Sequence, residues 1–341
     1  MENAKNNYQK LFFDKLKNSI GSNINIVYEI ADLLGISNDA AYRRLRGDKL
    51  LDFNEIILLC NHFNVGMDEF INGNINEIRF NYMPLQDNFH DNYMVYIRSL
   101  RDYLKIMVEQ ESSVKKIYFA ATDIPIFHVC KFPELKAFKI YTWQKQFGEN
   151  YDAKFSFENI LNEEMISIFN EISELYDRID SVEVWTYNTI DSYLKLIQYF
   201  YDIDSFKSEE DVLVILDKLA NLVYILKRYG EAGCKINHES KNQFSLFLSE
   251  EIELENNLIY AETDKVNVSF IKLYSINTIN TTDALFCNGT KTWFNSVISK
   301  STLISGVSQK QFVLFFKEIT QKIDSLKKKI LVNNSSLLHS N

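Results

Sequence analysis

Between Asn25 and Gly47 the apolar residues keep helical spacing on both sides of a single glycine, a pattern that restricts the local fold to two short helices joined by a tight turn. Val27, Ile30, Ala31 and Leu34 fall three and four residues apart, forming one stripe of a helix that Asn25 is placed to cap. Gly35 ends that helix, because only glycine enters the left-handed turn without steric cost. Ser37 caps a second helix over residues 38 to 46, with Ala41 and Leu45 one turn apart on its inward face. Asn38, Asp39, Tyr42, Arg43 and Arg46 project elsewhere.

The flanking segments extend this pair. Tyr8, Leu11, Phe12, Leu16 and Ile20 predict an amphipathic helix ending near Gly21. Asp52 and Glu55 form an Asp variant of the capping box, ahead of a fourth helix that buries Phe53, Ile56, Ile57, Cys60 and Phe63. A short fifth turn over residues 67 to 71 closes the unit. The stretch YEIADLLGISNDAAYRRLRG resembles the helix-turn-helix of the Cro and lambda-repressor type, the xenobiotic-response-element family of regulators. Ala31 matches the small residue at the helix crossing, Gly35 the turn glycine, Ile36 the buried turn residue and Gly47 the glycine after the recognition helix. Arg44 stands where the family has an apolar residue, and Leu45 takes that core role. The resemblance spans about 65 of the 341 residues.

It implies a five-helix helix-turn-helix domain over residues 1 to 72 whose recognition helix enters the major groove of double-stranded DNA. Arg43 can fork onto guanine, Asn38 can pair with adenine, Asp39 can accept from cytosine, and Tyr42 can meet a thymine methyl. Arg46 and Lys49 are placed for phosphates, which set affinity without reading sequence. Asp39 has a plainer explanation as an acid in the first helical turn. The plain alternative for the whole face is a solvated helix surface.

Charge makes such an interface a local matter. The chain carries net charge −9, with eight basic against ten acidic residues up to residue 72. Between residues 38 and 50, however, Arg43, Arg44, Arg46 and Lys49 face only Asp39 and Asp48. The start, MENAKNNYQK, lacks an apolar leader, and no run reaches the roughly 18 apolar residues of a membrane span, so a cytoplasmic protein without membrane contact is expected. Cys60, Cys130, Cys234 and Cys287 have no paired spacing and read as reduced thiols.

Beyond a linker at residues 73 to 80, three prolines and ten glycines in the whole chain favour helices, giving a mostly α expectation. Residues 81 to 235 read as a helical sensor or scaffold region, with helices over 91 to 107, 135 to 147, 157 to 179, 190 to 201 and 209 to 229 and a short strand over 116 to 121. Residues 236 to 341 read as an α+β region with a small antiparallel sheet. There a strand alternates from Phe244 to Glu255, a hairpin joins residues 258 to 262 with 266 to 274, and helices span 284 to 299 and 309 to 330. In the last helix Phe312, Phe316, Ile319, Ile323, Leu326 and Ile330 keep coiled-coil spacing, which fits a homodimer seam or packing onto the same domain. Pairing also suits a module whose half-sites lie about 34 Å apart.

The larger part offers little chemistry. No phosphate loop, dinucleotide fingerprint, nucleophile elbow or zinc-helix motif occurs, so no cofactor, catalytic residue or metal ligand is assigned. Glu251, Glu253 and Glu255 share a strand face that can hold a cation, though an edge strand uses charges in the same way to resist aggregation. His128 and Cys130 lack further ligands, and Cys60 and His62 lie on different helix faces. The polar stretch Lys300, Ser301, Thr302, Ser305 and Ser308 either holds an anion or joins two helices, with Ser308 and Gln311 as a capping box. Aromatics from Tyr118 to Phe200 form either core or the lining of a pocket for a small apolar effector. The expectation is a sequence-specific DNA-binding regulator with a sensing or dimerising C-terminal part. The alternatives are a protein-interaction adaptor or defence-associated factor, and an effector enzyme whose site lies in the larger part.

Overall fold

The computed structural model describes residues 2 to 19, 25 to 63, 78 to 85, 88 to 147, 152 to 236, 241 to 250, 254, 256 to 274, 276 to 306 and 309 to 338. The chain forms two compact units, Met1–Glu77 and Ile78–Asn341.

In the first unit the described helices are α1 (Glu2–Ser19), α2 (Ile26–Leu34), α3 (Asn38–Leu45) and α4 (Phe53–Phe63). Phe12, Phe13 and Leu16 of α1 meet Val27, Ile30 and Ala31 of α2, Ala41 of α3 and Leu59 and Cys60 of α4 in one core. The expected fifth turn at 67 to 71, the helix end near Gly21 and most of the linker lie outside the described residues.

The second unit is built on a sheet of nine strands. These are β1 (Asn81–Tyr82), β2 (Lys115–Ala121), β3 (Asp180–Trp185), β4 (Cys234–Ile236), β5 (Lys241–Leu248), β6 (Leu258–Thr263), β7 (Val268–Leu273), β8 (Asn277–Thr281) and β9 (Thr302–Leu303). Their order is β1-β8-β7-β6-β2-β3-β5-β4, with β9 also beside β5. β2, β3 and β5 run parallel, and the other pairings are antiparallel. The sheet is therefore mixed and large, where the sequence suggested a small antiparallel one. The expected division near residue 235 is also corrected, because β2 and β3 pair with β5 and β6 across it. Parallel strands need long crossovers, and the helices between β2 and β3 and between β3 and β5 supply them.

The helices are α5 (Phe89–Glu109), α6 (Ile126–Val129), α7 (Pro133–Phe147), α8 (Glu163–Asp177), α9 (Asp191–Asp202), α10 (Glu209–Ala232), α11 (Ala284–Ser299) and α12 (Gln309–Leu338). Alternation along β2 divides the burial: Ile117, Phe119 and Ala121 join the main helical core, while Tyr118 and Ala120 face Cys287 and Phe294 of α11. Of the two readings of the last helix, a dimer seam and packing onto the same domain, the second is the one observed. Phe312, Phe316, Ile319, Ile323, Leu326 and Ile330 are all buried in the unit's own main core, where α12 packs against α10 and α9. At the α10 crossing, Gly230 lies so close to Phe312 that a Cβ there would stand 2.5 Å from the ring.

Glu183 and Lys235 are among the buried polar groups of this unit that have defined partners. Glu183 on β3 bonds His128 at 2.7 Å, Tyr176 at 2.8 Å and the Trp185 indole at 2.9 Å. Burial alone would raise its carboxyl, but His128, Lys235 and Tyr176 outweigh that and hold it below the ordinary value. Lys235 on β4 donates to the carbonyls of Tyr176 and Ile179 at 2.8 and 2.6 Å, and burial pushes its ammonium down to about 7.

Candidate nucleic-acid interface

The turn between α2 and α3 is set by its own residues. Asn25 accepts from the Val27 amide and opens α2. Gly35 closes it at φ 63°, with its amide directed to the carbonyls of Ala31 and Asp32. A Cβ at Gly35 would meet nothing within 4 Å, so backbone conformation alone requires glycine here. Ser37 then accepts from the Ala40 amide at 3.3 Å and starts α3.

Ala41 is fully buried, Leu45 packs against the core, and Arg44 is 3 % exposed. The sequence assigned the inward position to Leu45; the structure turns Arg44 inward as well. Its guanidinium engages Glu55 through Nε at 3.0 and 3.1 Å and through Nη2, and donates to the Ala40 carbonyl at 3.1 Å. Glu55 also completes the expected capping box, accepting from the Asp52 amide while Asp52 accepts from the Glu55 amide. The Arg44 hydrogen bonds, chiefly, hold the Glu55 carboxyl below its ordinary range. Gln9 of α1 adds a second tie that periodicity could not show, donating to the carbonyls of Arg44 and Lys49 and accepting from the Leu51 amide. α3 is thereby fastened to α1 and α4.

The other face of α3 is open. Asn38, Asp39, Tyr42, Arg43, Arg46 and Lys49 are all exposed. Charge runs from Asp39 in the first turn of α3 to Arg43 in its last turn, with Arg46 and Lys49 following beyond the helix. Arg46 meets Asp48 at 3.3 Å with both side chains more than half exposed, a pairing worth little in water. The structure thus brings the six sequence-selected side chains to one unit surface and leaves their polar heads in solvent.

The remaining candidates resolve differently. The glutamate row at 251, 253 and 255 and Ser308 lie outside the described residues. His128 and Cys130 are both buried, and burial pushes the Cys130 thiol up to about 11. Ser305 accepts from the Leu246 amide at 2.9 Å and so serves the sheet. The aromatics from Tyr118 to Phe200 are mostly core, with Phe138, Tyr141, Phe155, Phe200 and Phe206 in mutual ring contact. Among the described residues no cluster of His, Cys, Asp and Glu fits a metal, and no helix is long and apolar enough to cross a membrane. In comparisons with known proteins, the chain matches no family model, no curated protein and no solved structure.

Proposed function

We propose that the first unit binds double-stranded DNA in a sequence-dependent way and that the protein is a transcription regulator. The observation that carries this reading is the two-sided character of α3: Ala41 and Arg44 are locked inward while Asn38, Tyr42, Arg43 and Arg46 are presented together to solvent. As a recognition helix, α3 places its amino-terminal and central side chains at base edges and its carboxyl end at the backbone. Arg43 reads guanine, Asn38 reads adenine, Asp39 accepts from cytosine and Tyr42 meets a thymine methyl. Arg46 and Lys49 neutralise phosphates.

The test is binding of the full chain to fragments selected from random DNA. Arg43→Ala is expected to cost about 1 to 3 kcal/mol at one base position. Arg46→Ala is expected to weaken all sequences similarly and to lower the salt slope by about 1. Unchanged binding in both variants refutes the assignment.

A second reading, attachment to a protein partner through the same unit, draws on Phe53, Ile57 and Leu58 of α4, which are 62, 37 and 47 % exposed. Salt separates the two, because DNA binding weakens steeply as salt rises whereas an apolar interface changes little.

A further inference from the structure

Where β2 ends, on the sheet face covered by the main core, a cavity of about 50 Å³ lies among β2, β6, β7, α5, α7 and α9. On one side of β2 runs parallel β3 and on the other antiparallel β6. Much of the wall is apolar, with Phe119, Ile124 and Ile259 prominent, but three lysines and one carboxylate also line it: Lys136, Lys139, Lys272 and Asp123.

Asp123 is already fully engaged. One carboxylate oxygen receives Lys139 at 2.6 Å and Lys272 at 3.1 Å. The other receives Ser192 at 2.8 Å and the Ile124 amide at 2.9 Å. Lys136 is 2 % exposed and has no hydrogen-bond or ion-pair partner among the described residues. Its ammonium lies over the rings of Tyr93 and Phe169, at 5.8 and 5.5 Å, and within electrostatic reach of Asp123 and of the like-charged Lys139 and Lys272. Loss of water destabilises an ammonium held in this way, and an anion brought to it relieves the penalty. Burial accordingly lowers the Lys136 ammonium from its ordinary value.

We propose that this cavity binds a small organic carboxylate, which accepts from Lys136 and lays a short apolar body against Phe119, Ile124 and Ile259. The sequence suggested an apolar effector; the lysines here call for an anionic head on it. Inorganic phosphate fits less well, since it has no apolar body to lay against Phe119, Ile124 and Ile259. At about 10 to 15 Å³ per water on the same measure, the space limits the body to a few carbon atoms.

The test is titration of the full chain with straight-chain acids from acetate to hexanoate, with butyramide and with inorganic phosphate, read by thermal melting and calorimetry. At least one acid is expected to raise Tm by several degrees in a saturable way, because a ligand of the folded state stabilises it. Butyramide and phosphate are expected to leave Tm unmoved. Lys136→Met is expected to weaken the acid at least tenfold and, without ligand, to melt no lower than the parent chain. Soaking crystals of the parent chain with a bromine-labelled acid supplies a readout that needs no variant, with bromine expected beside Ile124 and Ile259. A chain that ignores every acid, answers butyramide equally, answers phosphate alone, or keeps its full response in Lys136→Met overturns the proposal, as does bromine located elsewhere.

Discussion

At the scale of single residues, the buried lysine on β4 is the most sharply testable group. Lys235 meets two carbonyls, a pair of acceptors that suits the two hydrogens of a neutral amine. Its folded value of about 7 lies below the unfolded value of 10.5, so the unfolded chain holds the proton more tightly. Stability from this group is complete above the unfolded value, falls as the pH drops towards about 7, and levels off below that. Stability in urea melts across this range is expected to rise with pH, and Lys235→Met is expected to remove at most about 1.4 kcal/mol per pH unit from that slope while the depressed Lys136 keeps its own share. An identical slope in both proteins would place the titrating group elsewhere. Arg44 presents the opposite case: its charge is kept, and Glu55 meets it from α4.

At the scale of elements, the crossing of α10 and α12 depends on having no side chain at Gly230. Alanine is normally the better helix former by about 1 kcal/mol, yet Gly230→Ala is expected to destabilise by about 1 to 3 kcal/mol because the Phe312 ring must move. Combining it with Phe312→Ala should cost less than the sum of the two, as a denaturation double-mutant cycle can measure. Helices were the legible elements. α5, α7, α9, α10 and α11 lie close to their expected bounds, and the caps at Asn25, Ser37 and Asp52 are where the sequence placed them. β3 escaped notice because Ser181 and Glu183 occupy buried positions, which disguises its alternation as a polar segment. β8 escaped for a similar reason, since its residues Asn277, Thr278, Asn280 and Thr281 carry turn-like chemistry. The predicted α3 face could be read from spacing, but the Gln9 tie could not, because it links residues 35 and more positions apart. The lysine-lined cavity was equally hidden: its charged residues come from separate stretches that only the sheet brings together.

At the scale of the whole molecule, two cores without shared residues imply two separable melting events. Arg44→Ala strands Glu55 and is expected to lower one calorimetric transition by several degrees. Phe316→Ala, which opens the main core of the second unit, is expected to lower the other by more, with a cost of about 3 to 5 kcal/mol. The double variant should show both shifts unaltered, and a single merged transition moved by either change would contradict the division. The carboxylate of Glu183 has a bearing on how the sheet is assembled. Sliding β3 by one residue against β2 or β5 would swing that charge to the α11 side, away from His128 and Tyr176. A β3 slipped by one residue would then carry an unpaired anion against the apolar layer under α11, so this single acid penalises that misalignment.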